Sequence, residues 1–266
     1  MAPRARALSF SKQRIVSSYT TKGKKPTSPA PAKTRIAVIN WENVLVPLDW
    51  MVVRLGLGRS TMTIDLATIY SRSQNFPDLP QKFTEIEDRI IELLSDTVRS
   101  VNGPVFIVSE YTTAYVEYVC SLFFPRLTAA LRRSTTGMYV VGTPDTQLTT
   151  LELYQWKTNL LRTVIVEHFC PGLSIADGTN ILARPAFDKL KVVALCASKV
   201  DVAATSTIRS MVPNAVSNCV QVKTDKFSGA TQPVEASNGL EEFFRTIAYA
   251  STICQPTANH PINIVL

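Results

Sequence analysis

The first patterned segment is Arg35-Ile36-Ala37-Val38-Ile39, a short apolar run rich in β-branched residues and without alternation. Such a run fits a strand buried on both faces of a parallel sheet. It stops at a polar tip, Asn40-Trp41-Glu42-Asn43. Pro77 and Pro80 then precede apolar positions at Phe83, Ile86, Ile90, Leu93, Leu94, Val98 and Val101, a spacing that predicts one amphipathic helix. Asn102-Gly103-Pro104 ends it, with Gly103 suited to a left-handed cap and Pro104 unable to continue.

A second buried strand is predicted at Val105 to Val108, closed by Ser109. Further elements follow: a helix over Tyr115 to Leu131, a strand at Met138 to Val141, a helix over Leu151 to Phe169, strands at Lys191 to Leu195 and Cys219 to Val222, and a helix over Gly239 to Tyr249. Strands alternating with helices imply right-handed crossovers and a three-layer, Rossmann-like α/β fold, a mostly parallel sheet flanked by helices. Ligand chemistry in such sheets sits at the carboxyl ends of the strands. Between Val44 and Gln81 the pattern is weaker. Trp50, Met51, Val52, Val53 and Leu55 read either as core or as a small helical lid over the cleft.

Charge changes the picture in one place. The 266 residues carry a formal net charge of +7. Nine of the 28 basic residues lie between Arg4 and Arg35, where there is no acidic residue, which leaves 19 basic against 21 acidic in the remainder. The basicity therefore belongs to residues 1–34, rich in Ser, Thr, Pro, Lys and Arg, which are expected to form a disordered basic tail. The α/β domain is expected over 35–252, with 253–266 a C-terminal extension. An acid-free, Arg- and Ser-containing leader also reads as an organellar transit peptide, and its charges could hold an anionic surface or nucleic acid non-specifically.

No stretch of about 18 apolar residues lacks a charge or proline, so no membrane span is expected. Tyr115 to Leu131, the most apolar window, contains Glu117, Pro125 and Arg126. Cys120, Cys170, Cys196, Cys219 and Cys254 form no CxxC pair and are odd in number. They read as buried thiols of a reducing compartment, which makes the expected location intracellular and cytoplasmic. His168 and His260 are the sole histidines, too few for a His-rich metal site.

The strand tips carry the candidate chemistry: Asn40-Trp41-Glu42, Ser109, Lys157 after Trp156 on a helix, and Ala197 to Asp201. Their order resembles the haloacid-dehalogenase-like (HAD-like) superfamily, whose phosphotransferases place an Asp-x-Asp after the first strand, a Ser or Thr after the second, a lysine on a later helix and an acidic pair after the fourth. Asn40-Trp41-Glu42-Asn43-Val44-Leu45-Val46-Pro47 resembles the Asp-Trp-Asp-Asp-Thr-Leu-x-Pro form of the first motif. The resemblance covers about Ile36 to Ala248.

It implies that Asn40 stands at the nucleophile position, Glu42 at the acid/base position, Ser109 at the phosphate-binding hydroxyl and Lys157 at the charge-neutralising lysine. Each departure has a chemical consequence. An amide cannot form the acyl phosphate that an Asp nucleophile forms. Glu42 can exchange protons, but its extra methylene moves the carboxyl by about 1.5 Å, and a displacement near 1 Å can cost about a hundredfold in rate.

The fourth motif aligns in two ways. One is Ser174-Ile175-Ala176-Asp177-Gly178, which keeps Asp177 as a metal ligand. The other, preferred because an apolar strand precedes it, is Val192 to Asp201, in which the metal-binding Asp has become Ala197 and Asp201 remains. Magnesium is usually held by carboxylates plus substrate phosphate, so under the second alignment no cofactor is expected. Three readings result. The chain is a catalytically inactive HAD-like binding or scaffolding protein, a pseudophosphatase, with a protein partner or a phosphate-containing ligand. Alternatively it is a magnesium-dependent phosphatase of non-standard layout using Asp177 and Glu42. The third reading is a nucleic-acid or anionic-surface binder acting through its tail.

Overall fold

In the computed structural model the described residues are 35–56, 63–101, 103–133, 137–144, 148–169, 191–211, 216–221, 236–254 and 263–265, all within the unit Lys33–Leu266. The predicted tail 1–34, Asp177 and His260 lie outside them.

β1 (Arg35–Asn40) forms where the apolar run predicts it, and Ile36, Ala37 and Ile39 are wholly buried. It is joined by β2 (Val105–Ser109), β3 (Met138–Gly142), β4 (Lys191–Cys196), β5 (Val216–Gln221) and β6 (Asn263–Val265). The six strands lie in the order β3-β2-β1-β4-β5-β6, every neighbouring pair parallel. Parallel neighbours require crossovers. These are α1 (Leu48–Leu55), α2 (Thr63–Ser73) and α3 (Leu79–Val101), then α4 (Thr113–Phe123) and α5 (Pro125–Leu131), then α6 (Thr150–Phe169), α7 (Lys199–Met211) and α8 (Ala236–Ile253).

Strand alternation divides the core into two layers. Ala37, Ile39, Val105, Ile107, Val193 and Leu195 share one core with Phe83, Ile86 and Ile90 of α3, Val116 and Val119 of α4, and Phe243 and Ile247 of α8. Ala194 and Cys196 pack instead with Val202 of α7, against which α6 lies. The architecture is the expected helix–sheet–helix sandwich.

Several elements differ from the sequence expectation. The helix predicted over Tyr115 to Leu131 is two helices, broken at Phe124 (φ −138°, ψ 65°). Pro125 removes a backbone donor and drives the preceding residue out of the helical region, so it starts a new helix. α3 begins at Leu79, which puts Pro80 inside its first turn, where a missing N–H costs nothing. Gly103 is required sterically, since a Cβ there would collide with the Arg35 carbonyl oxygen. β5 starts three residues before the predicted Cys219, and Asn263–Val265 adds a sixth strand within the segment read as an extension.

Leu48, Trp50 and Met51 of α1 are core residues, with the Trp50 ring edge-on to Phe83 at 6.1 Å. Cys120, Cys196 and Cys254 are buried. Burial pushes Cys120 up to about 12 and Cys254 to about 11, so neither is a ready nucleophile. Among the described residues no helix is long and apolar enough to cross a membrane.

Candidate functional site

In the order β3-β2-β1-β4-β5-β6, successive crossovers leave β1 and β4 in opposite directions. That switch point opens a crevice beyond the strand ends, where ligands of such sheets bind. The sequence-predicted residues that are among the described ones meet there. Asn40 ends β1, Ser109 ends β2, Ala197 follows β4, Lys157 reaches in from α6, and Asp201 lies in the first turn of α7.

The loop after β1 aims Glu42 at the tip of β2. The Trp41 N–H donates to the Val108 carbonyl at 2.8 Å, extending the β1–β2 pairing by one step. The chain then folds back, with Val46 N–H donating to Trp41 O at 2.9 Å and Asn43 N–H to Val46 O at 2.8 Å. Asn43 takes a left-handed conformation, φ 56°, which Asn tolerates better than most residues. Trp41 is buried and meets the Tyr111 ring edge-on at 6.2 Å.

Glu42 is thereby tied down by three donors. Its Oε1 accepts from the Ser109 hydroxyl at 2.5 Å and from the Glu110 N–H at 2.7 Å, and its Oε2 accepts from the Asn40 side-chain amide at 3.2 Å. Burial raises the carboxyl to about 7. The Ser109 hydroxyl pulls it down and the nearby Glu110 charge pushes it further up. Ser109 is itself fully buried and accepts from the Tyr111 N–H at 3.0 Å.

Lys157 is buried at 3% exposure and donates to Glu110 Oε1 at 2.9 Å and to Asp201 Oδ1. Burial disfavours its ammonium, but the Asp201 and Glu110 carboxylates overcome this and raise its pKa above the ordinary lysine value. Asp201 Oδ2 accepts from Ala197 N–H at 3.1 Å, Ser198 N–H at 2.9 Å and the Ser198 hydroxyl at 2.9 Å, while the Asp201 N–H donates back to Ser198 Oγ at 3.3 Å. This reciprocal pair is a capping box at the start of α7.

Asp201 is part of the cluster, whereas Asp177 lies outside the described residues. Ala197 contributes only its backbone N–H. Glu110, which no motif singled out, is one of the two carboxylates that pair with Lys157, and its only sequence signal is its place immediately after Ser109. Beneath Asn40, Lys157 and Asp201 runs a narrow apolar crevice walled by Val38, Val108, Leu161, Cys196 and Ala204.

Chemically, the cluster is closed on itself. The donors at the tip of β2 are spent on Glu42, and the lysine is spent on two carboxylates. Among the described residues no group of three His, Cys, Asp or Glu side chains is arranged to hold a metal ion. The Lys157 ammonium lies between Glu110 and Asp201, where it supplies the positive charge that draws two carboxylates together.

Neither family models, nor curated proteins, nor solved structures gave a match to this chain. Fold and site together define its class as an α/β protein with a six-stranded parallel sheet, whose switch point carries a buried and self-paired cluster of carboxylates, amide, hydroxyl and lysine.

Proposed function

We propose that this chain is a degenerate HAD-like domain that has lost phosphoryl transfer and works as a binding or scaffolding protein. The observation that carries this reading is the Glu42 carboxylate, which takes both the Ser109 hydroxyl and the Glu110 N–H. Those two donors are what a phosphoryl oxygen would need at the end of β2. Two substitutions support it: Asn40 offers an amide where an attacking carboxylate would stand, and Ala197 offers a methyl where a metal ligand would stand. The sheet survives such losses because apolar strands, not catalytic tips, specify it.

The ligand class that suits the donors now held by Glu42 is a phosphate-containing molecule, and the partner class is a protein. The test is hydrolysis of 4-nitrophenyl phosphate with magnesium. No turnover above buffer is expected. Magnesium-dependent turnover that disappears in Lys157→Ala would overturn the reading.

One observation favours the active alternative, a magnesium-dependent phosphatase. A carboxyl raised to about 7 sits in the range where general acids and bases work best. That reading still requires a nucleophile other than Asn40 and a role for Asp177. The same assay decides it, with Glu42→Gln abolishing turnover if Glu42 moves the proton.

A further inference from the structure

We infer that the Glu42 side chain is an internal ligand that closes an oxyanion site at the tip of β2, so that an external phosphate group binds only once Glu42 has swung out. The gate deepens the binding reading above and rests on it for the class of ligand.

The geometry is that of an occupied anion site. A carboxylate oxygen sits 2.5 Å from a fully buried hydroxyl and 2.7 Å from a backbone N–H, with a side-chain amide on its other oxygen at 3.2 Å. Neighbouring Glu110 carries Lys157 on its own side chain, so a buried cation stands next to the donors. Hydroxyls, backbone N–H groups and lysine are the donors that recognise phosphate oxygens.

The backbone on either side of Glu42 is pinned. Trp41 is buried and bonded to Val108, and Asn43 and Val46 close the loop behind it. Opening therefore means rotation of the Glu42 side chain rather than movement of the loop. Rotation strips the Glu110 N–H and the Ser109 hydroxyl of the acceptor they share, and a buried donor left without an acceptor is costly. An incoming oxyanion restores an acceptor to both donors, so exchange of the Glu42 carboxyl for an external oxyanion costs less than simple opening.

An internal ligand that keeps the site shut about 90% of the time weakens the apparent affinity of an outside ligand about tenfold. The test uses the full chain and inorganic phosphate, followed by thermal shift and isothermal titration against chloride at matched ionic strength. Glu42→Gly is expected to bind phosphate saturably and at least about tenfold more tightly than the wild type. Adding Ser109→Ala to that variant should remove the response. Glu42→Asp, whose shorter side chain withdraws the carboxylate from the Ser109 hydroxyl and the Glu110 N–H, serves if Glu42→Gly does not fold, with the same ordering expected. Equal phosphate responses in wild type and variant overturn the gate, as does a variant response that survives Ser109→Ala. Turnover of 4-nitrophenyl phosphate by the wild type overturns the non-catalytic reading and leaves the phosphate comparison standing, so the two failures are distinct.

Discussion

Glu42 Oε1 lies 2.5 Å from Ser109 Oγ, a contact between residues 67 positions apart that joins the tip of β1 to the tip of β2. Both partners are buried. A carboxyl in that position is desolvated more than it is compensated, so the tie between the strand tips responds to protons.

The response has a definite sign. The Glu42 carboxyl is raised from 4.5 to about 7 in the fold, first by burial. Asn40, Ser109, Glu110 and Lys157 are the polar and charged groups facing it. A folded-state pKa above the unfolded one gives stability that is fully present below about pH 4.5 and is lost as pH rises through 7. At about 1.4 kcal/mol per unit the loss is about 3 kcal/mol. Urea unfolding at pH 5 and pH 8 should show the wild type weaker at pH 8, and Glu42→Gln should remove most of that difference.

Lys157 holds two carboxylates, those of Glu110 and Asp201. Lys157→Ala leaves Glu110 and Asp201 without their cation, and breaking a buried pair from one side costs about 3–5 kcal/mol. Lys157→Met with Asp201→Asn removes charge of both signs and should recover part of the loss. Equilibrium denaturation of the two variants at one pH measures the difference.

The sheet was largely legible because β1, β2 and β4 are short continuous apolar runs, which a strand buried on both faces demands. The start of β5 is not legible because Ser217 and Asn218 interrupt its apolar pattern, and β6 is three residues long, too short to show any period. Pro125 signals the split at Phe124, but the apolar spacing continues through it and masks the break. At the site, Asn40, Ser109 and Asp201 could be found as strand ends and as a helix start. Glu110 could not, since its role exists only because Lys157 arrives from a helix 47 residues away.

Glu87 ties α3 to α5. It is buried, accepts from the Leu127 N–H at 2.8 Å in the first turn of α5, and pairs with Arg126 at 2.7 Å. Glu87→Ala strands that buried N–H, at a cost of about 1–3 kcal/mol. Glu87→Gln keeps an oxygen for Leu127 and should lose less. Thermal melts that rank wild type above Gln above Ala bear this out, and equal melts for Gln and Ala would show that the contact to the Leu127 N–H contributes nothing to stability.

Gly142 ends β3 beside the loop that follows Ser109, and a Cβ there would run into the backbone of Tyr111 and Thr113. The same stretch is stitched by Gly142 N–H to Thr113 Oγ1 at 2.9 Å and Thr143 N–H to Tyr111 O at 2.9 Å. Backbone cannot yield as a flexible side chain can, so Gly142→Ala must push the β2 tip away from β3. Overpacking of this kind costs about 1–3 kcal/mol, and the displaced Glu110 N–H loosens its hold on the Glu42 carboxylate. A carboxylate that loses a donor is pushed up further, so Gly142→Ala should lower the melting temperature and strengthen the pH dependence assigned to Glu42 together. A variant that loses stability while the difference between pH 5 and pH 8 stays at the wild-type value would show that the β2 tip holds Glu42 independently of its packing on β3.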